Sequence, residues 1–249
     1  MRDADERSVA VGFFDGVHLG HRAVIDAADE VLTFRNHPLS VLRPGSMPPL
    51  ITDFETRVRM IGKPVTVLEF TKELAAMPPG EFAERFFRRR RVVCGEDWRF
   101  GRNGEGDAGT LRSLGYEVLS VPHAMYRGER ISSSRIRECL EKGDIESANA
   151  MLGRPYSMML ERVRGKGEGT KLGYPTVNLR RGVYAVEADG KAGVANFGFA
   201  PTFGVRAWKE PTLEVHFLKF LRDERKFSSA EELKEQIAKD VSEAENGIF

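Results

Sequence analysis

Along the N-terminal part of the chain, short apolar runs alternate with segments whose apolar residues recur every three or four positions. The runs predict strands, and the periodic segments predict helices. Strands are predicted at residues 9–14, 31–34, 65–70, 92–94 and 117–121, and helices at residues 19–28, 79–87, 108–114 and 134–142. Strands that alternate with helices indicate βαβ units, and therefore a parallel sheet covered by helices.

The pattern changes near residues 153–155, which read Gly-Arg-Pro. Beyond them, short apolar strands separated by glycine turns are predicted at residues 156–163, 182–187, 193–197 and 213–220. This pattern is typical of a small β-barrel. In the C-terminal segment Leu233, Ile237 and Val241 recur at a spacing of four, which predicts an amphipathic helix. The sequence therefore predicts two domains, residues 1–152 and residues 153–249.

Composition and charge narrow the class of protein. The chain has 249 residues, 41% of them hydrophobic and 30% charged, as in a soluble protein of one large domain or two ordinary ones. A net charge of +1 gives no basic field for a nucleic-acid partner. Two distant cysteines fit a reducing cytoplasm, the charged N-terminus is unlike a signal peptide, and no apolar run is long enough for a membrane span. We expect a cytoplasmic protein, monomeric or weakly oligomeric, whose partners are small molecules rather than nucleic acid or membrane.

Polar turns follow several of the predicted N-terminal strands. They lie at Asp15, at His37, at residues 96–97 and at residues 132–134. Ligands of parallel α/β sheets bind at the carboxyl ends of the strands. We therefore expect these turns to share one ligand site. The arginine run at 88–91 follows a predicted helix, and we interpret it as a solvated helix end that complements the dipole, because no aromatic residues interleave with it.

The most informative segment is 11–21, Val-Gly-Phe-Phe-Asp-Gly-Val-His-Leu-Gly-His. It predicts a strand, a tight turn and a helix start whose two histidines, three residues apart, share one face. The first turn of a helix has free N–H groups and the positive end of the dipole, and Gly20 allows an anion close to the backbone. These features predict a site that binds the phosphates of a nucleotide. The rival interpretation is a metal site, but neither a His-Glu-x-x-His motif nor a nearby cysteine pair supplies further ligands.

A second candidate phosphate segment is 131–137, Ile-Ser-Ser-Ser-Arg-Ile-Arg. Three serines precede a predicted helix, and one of them is expected to cap it. Arg137 lies one helical turn beyond Ser133 and Ser134, so that hydroxyls, backbone N–H groups and a guanidinium can face one anion. Together with the two histidines this arrangement suits a triphosphate whose pyrophosphate leaves during the reaction.

These two segments resemble the HxGH nucleotidyltransferase superfamily and, more narrowly, the N-terminal module of the bacterial bifunctional riboflavin kinase/FAD synthetases. Segments 33–38, 70–71, 79–82 and 93–101 are similar to that module as well. The resemblance implies a Rossmann-like, doubly wound parallel-sheet domain. It also implies transfer of AMP from ATP to FMN, with release of pyrophosphate and without a covalent intermediate.

The resemblance also implies roles for individual residues. His18, His21 and Arg137 would be catalytic and would stabilise the phosphates. The remaining ATP-binding residues would be Gly12, Phe13, Asp15, Gly16, Gly20, Ser132, Ser133 and Ser134. Asp97, Phe100 and His37 would lie on the flavin side. The chain departs from the family at Phe13, where asparagine is commoner, and at Arg35 and Asn36, where the family usually has Asp-Pro.

The second domain has a glycine-rich segment at 165–178, Gly-Lys-Gly-Glu-Gly-Thr-Lys-Leu-Gly-Tyr-Pro-Thr-Val-Asn. Alternating glycines let backbone amides turn toward a phosphate, although glycine-rich hairpins are common in barrels and the P-loop pattern is absent. Thr176 and Asn178 alternate along an extended segment, so both face one side, and their oxygens suit Mg²⁺ held jointly with phosphates.

This segment resembles the glycine-rich loop and the Pro-Thr-Ala-Asn motif of riboflavin kinases, and segments 182–186, 193–198, 201–204 and 213–216 continue the match. The resemblance implies a small barrel that phosphorylates riboflavin, in which Thr176 and Asn178 bind Mg²⁺ and ATP phosphates. Glu214 would be the general base for a riboflavin hydroxyl; without the resemblance we would interpret it as a solvent-facing strand residue. The other implied ATP-binding residues are Gly165, Gly167, Gly169, Lys171, Gly173 and Pro175.

Connections near Asp29, Gly62, Arg180 and Lys219 are shorter than in such enzymes, and a barrel hairpin expected after residue 217 is missing. The chain is then either a compacted enzyme or a sequence that lacks loop residues. The latter predicts consecutive Cα atoms much farther apart than ~3.8 Å at these joints. We expect a bifunctional enzyme that uses ATP and Mg²⁺ and handles riboflavin, FMN and FAD. The alternatives are a monofunctional FMN adenylyltransferase with a flavin-binding barrel and an inactive flavin- or nucleotide-binding regulator.

Overall fold

The computed structural model describes residues 7–88, 90–162, 169–171, 177–198, 202–203 and 212–246. The chain divides into two compact units, Met1–Ser132 and Ser133–Phe249. The two helices between residues 133 and 152 fall in the second unit because the second of them packs against the sheet and the first packs against the second. The domain boundary at residue 152 stays a prediction from the sequence.

The first unit is built on a five-stranded parallel sheet. Its strands are β1 (Ser8–Val11), β2 (Glu30–Phe34), β3 (Val65–Leu68), β4 (Arg91–Gly95) and β5 (Val118–Val121). Their order is β3-β2-β1-β4-β5, and every neighbouring pair is parallel. The parallel sheet predicted from the sequence is confirmed. The strand order reverses between β1 and β4, and this reversal is where ligands bind in such sheets.

Six α-helices accompany these strands among the described residues. They are α1 (Leu19–Asp26), α2 (Leu39–Leu42), α3 (Phe54–Ile61), α4 (Lys72–Ala76), α5 (Pro79–Phe87) and α6 (Ala108–Ser113). The pattern predicted α1, α5 and α6. It missed α3, although Asp53 caps its start and Gly62, in the left-handed region at φ 67°, ends it. The buried face of α3 carries Thr56 and Arg57, so the apolar periodicity that marks a helix is weak.

Both faces of the parallel sheet are covered by apolar side chains. Val9 and Val11 of β1 point into a cluster with Phe34, Phe82 and other residues on one face. The residue between them, Ala10, belongs to a cluster with Ile25 and others on the opposite face. Burial on both faces explains why β1 and its neighbours are continuous apolar runs rather than alternating ones.

Two arginines of the run beyond α5, Arg90 and Arg91, form hydrogen bonds or ion pairs. Arg90 donates hydrogen bonds to the carbonyl oxygens of Phe86 and Phe87 and pairs with Glu30. These contacts satisfy the carbonyls at the helix end, as expected for a basic residue there. Arg91 pairs with Glu117 at 3.0 Å.

In the second unit two helices precede an antiparallel sheet, which is followed by a C-terminal helix. The elements are α7 (Ser133–Lys142), α8 (Ile145–Leu152), β8 (Tyr156–Arg162), β9 (Gly169–Lys171), β10 (Gly182–Ala188), β11 (Lys191–Phe197), β12 (Thr202–Phe203), β13 (Thr212–Arg222) and α9 (Ala230–Asn246). A two-stranded hairpin of β6 (Met125–Tyr126) and β7 (Glu129–Arg130) belongs to the first unit. The sheet order is β12-β11-β10-β13-β8-β9, and no pairing within the described residues closes it into a barrel.

Strand β13 runs without interruption through the position where the short connection near Lys219 was noted. Residues 212–217 pair with β8, and residues 216–222 pair with β10 with two register shifts. One long strand therefore joins two halves of the sheet in place of the expected hairpin.

The amphipathic C-terminal helix predicted from the sequence is present as α9. It docks through Val241 and Ala244, which pack with Val183 and Val194 of the sheet, whereas Leu233 and Ile237 are exposed. The apolar residues at a spacing of four thus predicted the helix, but the first two of them do not face the core.

Candidate functional site

A strained turn follows the carboxyl end of β1. The backbone N–H of Val17 donates to the carbonyl of Phe14 at 3.0 Å. Phe14, Gly16 and Val17 all lie at positive φ, at 58°, 79° and 39°. Such a conformation is uncommon for a non-glycine residue and is an outlier for a β-branched one. Strain of this kind is concentrated at functional sites, where the surrounding structure holds it in place.

Asp15 holds this turn against a distant loop. Its carboxylate is buried and accepts hydrogen bonds from the backbone N–H groups of Ile51 at 3.0 Å and Thr52 at 3.3 Å. The Gly16 N–H in turn donates to the Thr52 hydroxyl at 3.2 Å. These contacts give Asp15 a role in shaping the turn. Its predicted place in the ATP site stays a prediction.

His18 caps the start of α1. Its Nδ1 accepts a hydrogen bond from the backbone N–H of His21 at 3.2 Å. In the neutral imidazole the proton then lies on Nε2, as the hydrogen-bond network assigns it, and Nε2 is the donor. The His18 and His21 rings stack with centroids 3.5 Å apart and planes 16° from parallel. The structure therefore brings together the two histidines that the spacing placed on one face.

His21 lies between His18 and Phe14, whose ring meets it edge-on at 5.4 Å. Its Nδ1 is buried and has no hydrogen-bond partner among the described residues. Burial lowers the pKa of His21 well below its usual value, and positive charge on His18, Arg57 and Arg130 lowers it further. His21 is therefore neutral near pH 7.

Two glycines make room beside these rings. A Cβ at Gly20 would lie 3.2 Å from the His18 ring, so a side chain there would push against the imidazole. A Cβ at Gly12 would lie 2.9 Å from the Phe14 ring. Both positions are predicted ATP-binding residues, and the structure gives each a packing reason for glycine.

The end of β2 carries a second group of predicted residues. The His37 ring lies edge-on to the Phe13 ring, with centroids 4.6 Å apart, and its Nδ1 accepts from the Leu39 N–H. Asn36 bonds through its side chain to both the N–H and the carbonyl of Phe70. Asn36 therefore ties the segment after β2 to the segment after β3, which accounts for this departure from the family pattern.

The predicted flavin-side residues Asp97 and Phe100 have different environments. Asp97 is exposed and pairs with Arg130 at 2.6 Å. Phe100 is a core residue, 6% exposed, and its ring stacks on Trp98 with centroids 4.6 Å apart and planes 7° from parallel. Trp98 is the more exposed ring of this pair, and it is not among the predicted site residues.

Ser133, Ser134 and Arg137 of the second phosphate segment lie on consecutive turns of α7, and Ser132 precedes the helix. Ser133 and Ser134 begin the helix, and the Arg137 side chain is buried. Ser132 ends the first compact unit and Ser133 begins the second. That they and the two histidines face a common anion stays a prediction.

In the second unit Glu214 lies on β13 between buried Leu213 and Val215. The predicted alternation along this strand is confirmed. The Ser157 hydroxyl of β8 donates to Glu214 Oε1 at 2.8 Å, which orients the half-buried carboxylate. Asn178 is exposed, and Gly169 and Lys171 are the first and last residues of β9. Gly165, Gly167, Gly173, Pro175 and Thr176 lie outside the described residues.

Each of the two parts of the chain matches a known protein family. Residues 1–135 match the family described as FAD synthetase, and residues 152–248 match the family described as riboflavin kinase. The chain belongs to the bifunctional riboflavin kinase/FMN adenylyltransferase family. Relatives with that name include proteins of Bacillus subtilis strain 168 (32% identical, 98% of this chain and 93% of the relative) and Escherichia coli K12 (31% identical, 93% and 90%).

The match with the Bacillus relative spans 298 aligned positions, whereas this family member has 249 residues. The relative therefore has residues that this chain lacks, in keeping with the short connections noted in the sequence. A solved structure described as a macrolide-efflux protein from Streptococcus pneumoniae shares the fold, with a TM-score of 0.84 and 25% identity over 97% of this chain and 94% of that chain. In this family member, none of the described helices is long and apolar enough to cross a membrane.

Two further functional candidates in this family member, Trp98 and Arg57, are not among the residues predicted from the sequence. Trp98 adjoins the predicted flavin residues but carries no motif of its own. Arg57 lies inside α3, the helix whose pattern was too weak to predict, yet it is fully buried beside Phe13. No local signal identifies Arg57, since its neighbours Phe13 and Phe34 come from distant segments.

Proposed function

We propose that this chain makes both FMN and FAD. The second unit would transfer the γ-phosphoryl group of ATP to a riboflavin hydroxyl, and the first unit would transfer AMP from a second ATP to FMN. The observation that carries the adenylyl-transfer proposal is the stacked pair of imidazoles at the N-terminus of α1, at the carboxyl end of β1. The adjacent reversal of strand order is the usual place for a nucleotide in this fold.

In the adenylyl-transfer step a phosphate oxygen of FMN attacks the α-phosphorus of ATP, and the bond to the β-phosphate oxygen breaks. Pyrophosphate leaves with the bonding electrons, and no enzyme group becomes covalently attached. Negative charge builds on the phosphate oxygens in the transition state. Nε2–H of His18 and the free N–H groups at the start of α1 are donors suited to that charge. We assign the β- and γ-phosphates to Ser133, Ser134 and Arg137, and further ATP contacts to Gly12, Phe13, Gly16 and Ser132.

On the flavin side, FMN would be bound by Asp97, His37 and the stacked rings of Trp98 and Phe100. A flat aromatic face such as that of Trp98 suits the isoalloxazine ring, since aromatic rings stack in offset pairs. Phe100 supports Trp98 from the core rather than meeting the flavin face itself.

In the kinase step Glu214 would accept the proton of the riboflavin hydroxyl as its oxygen attacks the γ-phosphorus, and ADP would leave. The hydrogen bond from Ser157 orients the Glu214 carboxylate, which is the candidate base. Asn178 is exposed and offers an amide oxygen, the donor type that Mg²⁺ prefers, and Thr176 would supply a hydroxyl. Mg²⁺ held there would neutralise charge on the ATP phosphates.

We also propose that the enzyme is cytoplasmic, that it is monomeric or weakly oligomeric, and that its partners are small molecules. Both cysteines are free, as expected in a reducing compartment. The full-length protein should be incubated with riboflavin, ATP and Mg²⁺, and the flavins separated. FMN and FAD together support the proposal. FAD from supplied FMN without FMN from riboflavin supports a monofunctional adenylyltransferase, and no turnover supports an inactive binding protein.

A further inference from the structure

Arg57 of α3 is the largest fully buried side chain of the described residues, and it is charged. Its guanidinium lies over the Phe13 ring, 3.8 Å from the centroid. One terminal nitrogen, Nη2, donates to the carbonyl of Phe34 at 2.6 Å and to that of Arg35 at 3.3 Å. Phe34 ends β2 and Phe13 follows β1, so Arg57 lies at the same end of the sheet as His18 and His21.

The rest of this guanidinium is unsatisfied. Nε and Nη1 are both buried, and neither has a hydrogen-bond partner among the residues that the structure describes. Arg57 also forms no ion pair with any described residue. A buried donor without a partner is destabilising, and more so when it is charged. Unsatisfied groups of this kind are rare in folded proteins and point to a missing partner.

Arg57 stays charged near pH 7 although its surroundings lower its pKa. Burial lowers its pKa to about 10, and the carboxylates of Asp15, Asp53 and Glu55 act in the opposite direction. Of these, Asp15 is committed to the backbone of Ile51 and Thr52, and Asp53 caps α3. Two of the three nearby carboxylates are therefore engaged with backbone N–H groups, and none of the three forms an ion pair with Arg57 within the part of the chain that the structure describes. An anion with several acceptor oxygens would complete the site, and a guanidinium is the side chain best suited to phosphate.

We propose that Arg57 binds a phosphate group of the substrates through Nε and Nη1 during adenylyl transfer. The inference rests on the proposed function of this site. Phosphate is supplied there either by FMN or by ATP, and the two sources are separated by experiment. Stacking on Phe13 and the bonds from Nη2 hold the guanidinium in place, and the groups that close Nε and Nη1 off from solvent have to move aside for the ligand.

The test uses Arg57→Lys, which keeps the charge but removes the two donors, with Arg59→Lys as a matched control. Arg59 lies on the same helix and is exposed. Dissociation constants would be measured for FMN, riboflavin, ATP and pyrophosphate. We expect Arg57→Lys to weaken one phosphate ligand by about 10- to 100-fold, the range for hydrogen bonds to charged groups, and the control to weaken none. Weaker FMN binding with unchanged riboflavin binding assigns the group to FMN. Weaker ATP and pyrophosphate binding assigns it to ATP.

A purely structural role would lower the thermal stability of Arg57→Lys and leave every dissociation constant within about twofold, and this result would overturn the inference. If the variant does not fold, the ¹⁵Nε resonance of Arg57 in the unaltered protein is followed instead. A shift with FMN or ATP but not with riboflavin supports the inference, and no shift with any ligand overturns it. Failure of the proposed function is seen separately, as absence of FAD formation by the unaltered protein.

Discussion

The imidazole rings of His18 and His21 stack face to face, with centroids 3.5 Å apart. Two rings at this distance repel each other when both are protonated, and the charge on His18 contributes to the low pKa of His21. The pair therefore carries at most one positive charge near pH 7. The phosphate binding that we propose for the pair would then depend on N–H donors held in place rather than on two full charges.

Removal of the His21 ring should separate the two activities. We expect His21→Ala to lower FAD formation from FMN by about 10²- to 10³-fold, the usual cost of removing one preorganised donor, and to leave FMN formation unchanged. Each reaction would be assayed alone in steady state. Leu19→Ala, an exposed position on the same turn of α1, serves as the control. Equal loss of both activities would argue against separate sites.

The low pKa of His21 predicts how stability changes with pH. In the unfolded chain the histidine takes up a proton near pH 6.5, whereas in the folded protein it does so only at lower pH. Between these two pKa values the unfolded state binds more protons, so the free energy of unfolding falls as the pH drops below about 6.5. Urea unfolding at pH 7.5 and pH 5 measures this change. The change should be smaller in His21→Asn, and an identical pH dependence would contradict the low pKa.

Substitution of Glu214 in the second unit should have the opposite effect to His21→Ala, lowering FMN formation and sparing FAD formation. Glu214→Gln keeps the shape of the side chain but removes the base, so we expect FMN formation to fall by about 10²- to 10⁴-fold. FAD formation from supplied FMN should remain within twofold. Glu187→Gln on the neighbouring strand β10 is the matched control. Unchanged FMN formation would contradict the role of Glu214 as the base and would favour the alternative that it is a solvent-facing strand residue.

The buried pair of Arg222 and Asp240 should anchor α9 to the sheet. The guanidinium donates to both carboxylate oxygens, at 2.7 Å and 3.1 Å, and the Asp240 side chain is 4% exposed. We expect Asp240→Ala to lower the free energy of unfolding by about 3 kcal/mol, since it leaves a partly buried cation unpaired. The exposed pair of Lys219 and Glu243 is the comparison, and Glu243→Ala should cost less than about 1 kcal/mol. Urea titrations of the two variants measure the difference, and equal effects would contradict the assignment.

Burial alone would raise the pKa of Asp240, but hydrogen bonds from Arg222 and Gln236 outweigh it and lower the pKa. The stabilisation by this pair is therefore complete above the unfolded value of 3.8 and is lost only as the pH falls below it. Unfolding measured between pH 7 and about pH 5 should show no change attributable to Asp240.

The helices that could be predicted are those whose patterns are local. Helix α5 was predicted at residues 79–87, the bounds it has in the structure, because prolines open it and apolar residues recur on one face. Helix α3 was missed because Thr56 and Arg57 occupy its buried face. The small barrel was predicted from strands and glycine turns, but pairing between strands is long-range. Only the structure shows that β13 is one continuous strand paired on both sides.

The sequence by itself determined the two-unit order, the parallel sheet and the histidine pair, because a strand, a turn and a helix start within about a dozen residues depend on local propensity and spacing. Only the tertiary structure decided what surrounds that pair. Asp15 meets Ile51 and Thr52, and Arg57 meets Phe13, across separations that no periodicity encodes. The stacking of the rings, the low pKa of His21 and the unsatisfied guanidinium follow from that packing, because burial and partner geometry arise only when distant segments meet.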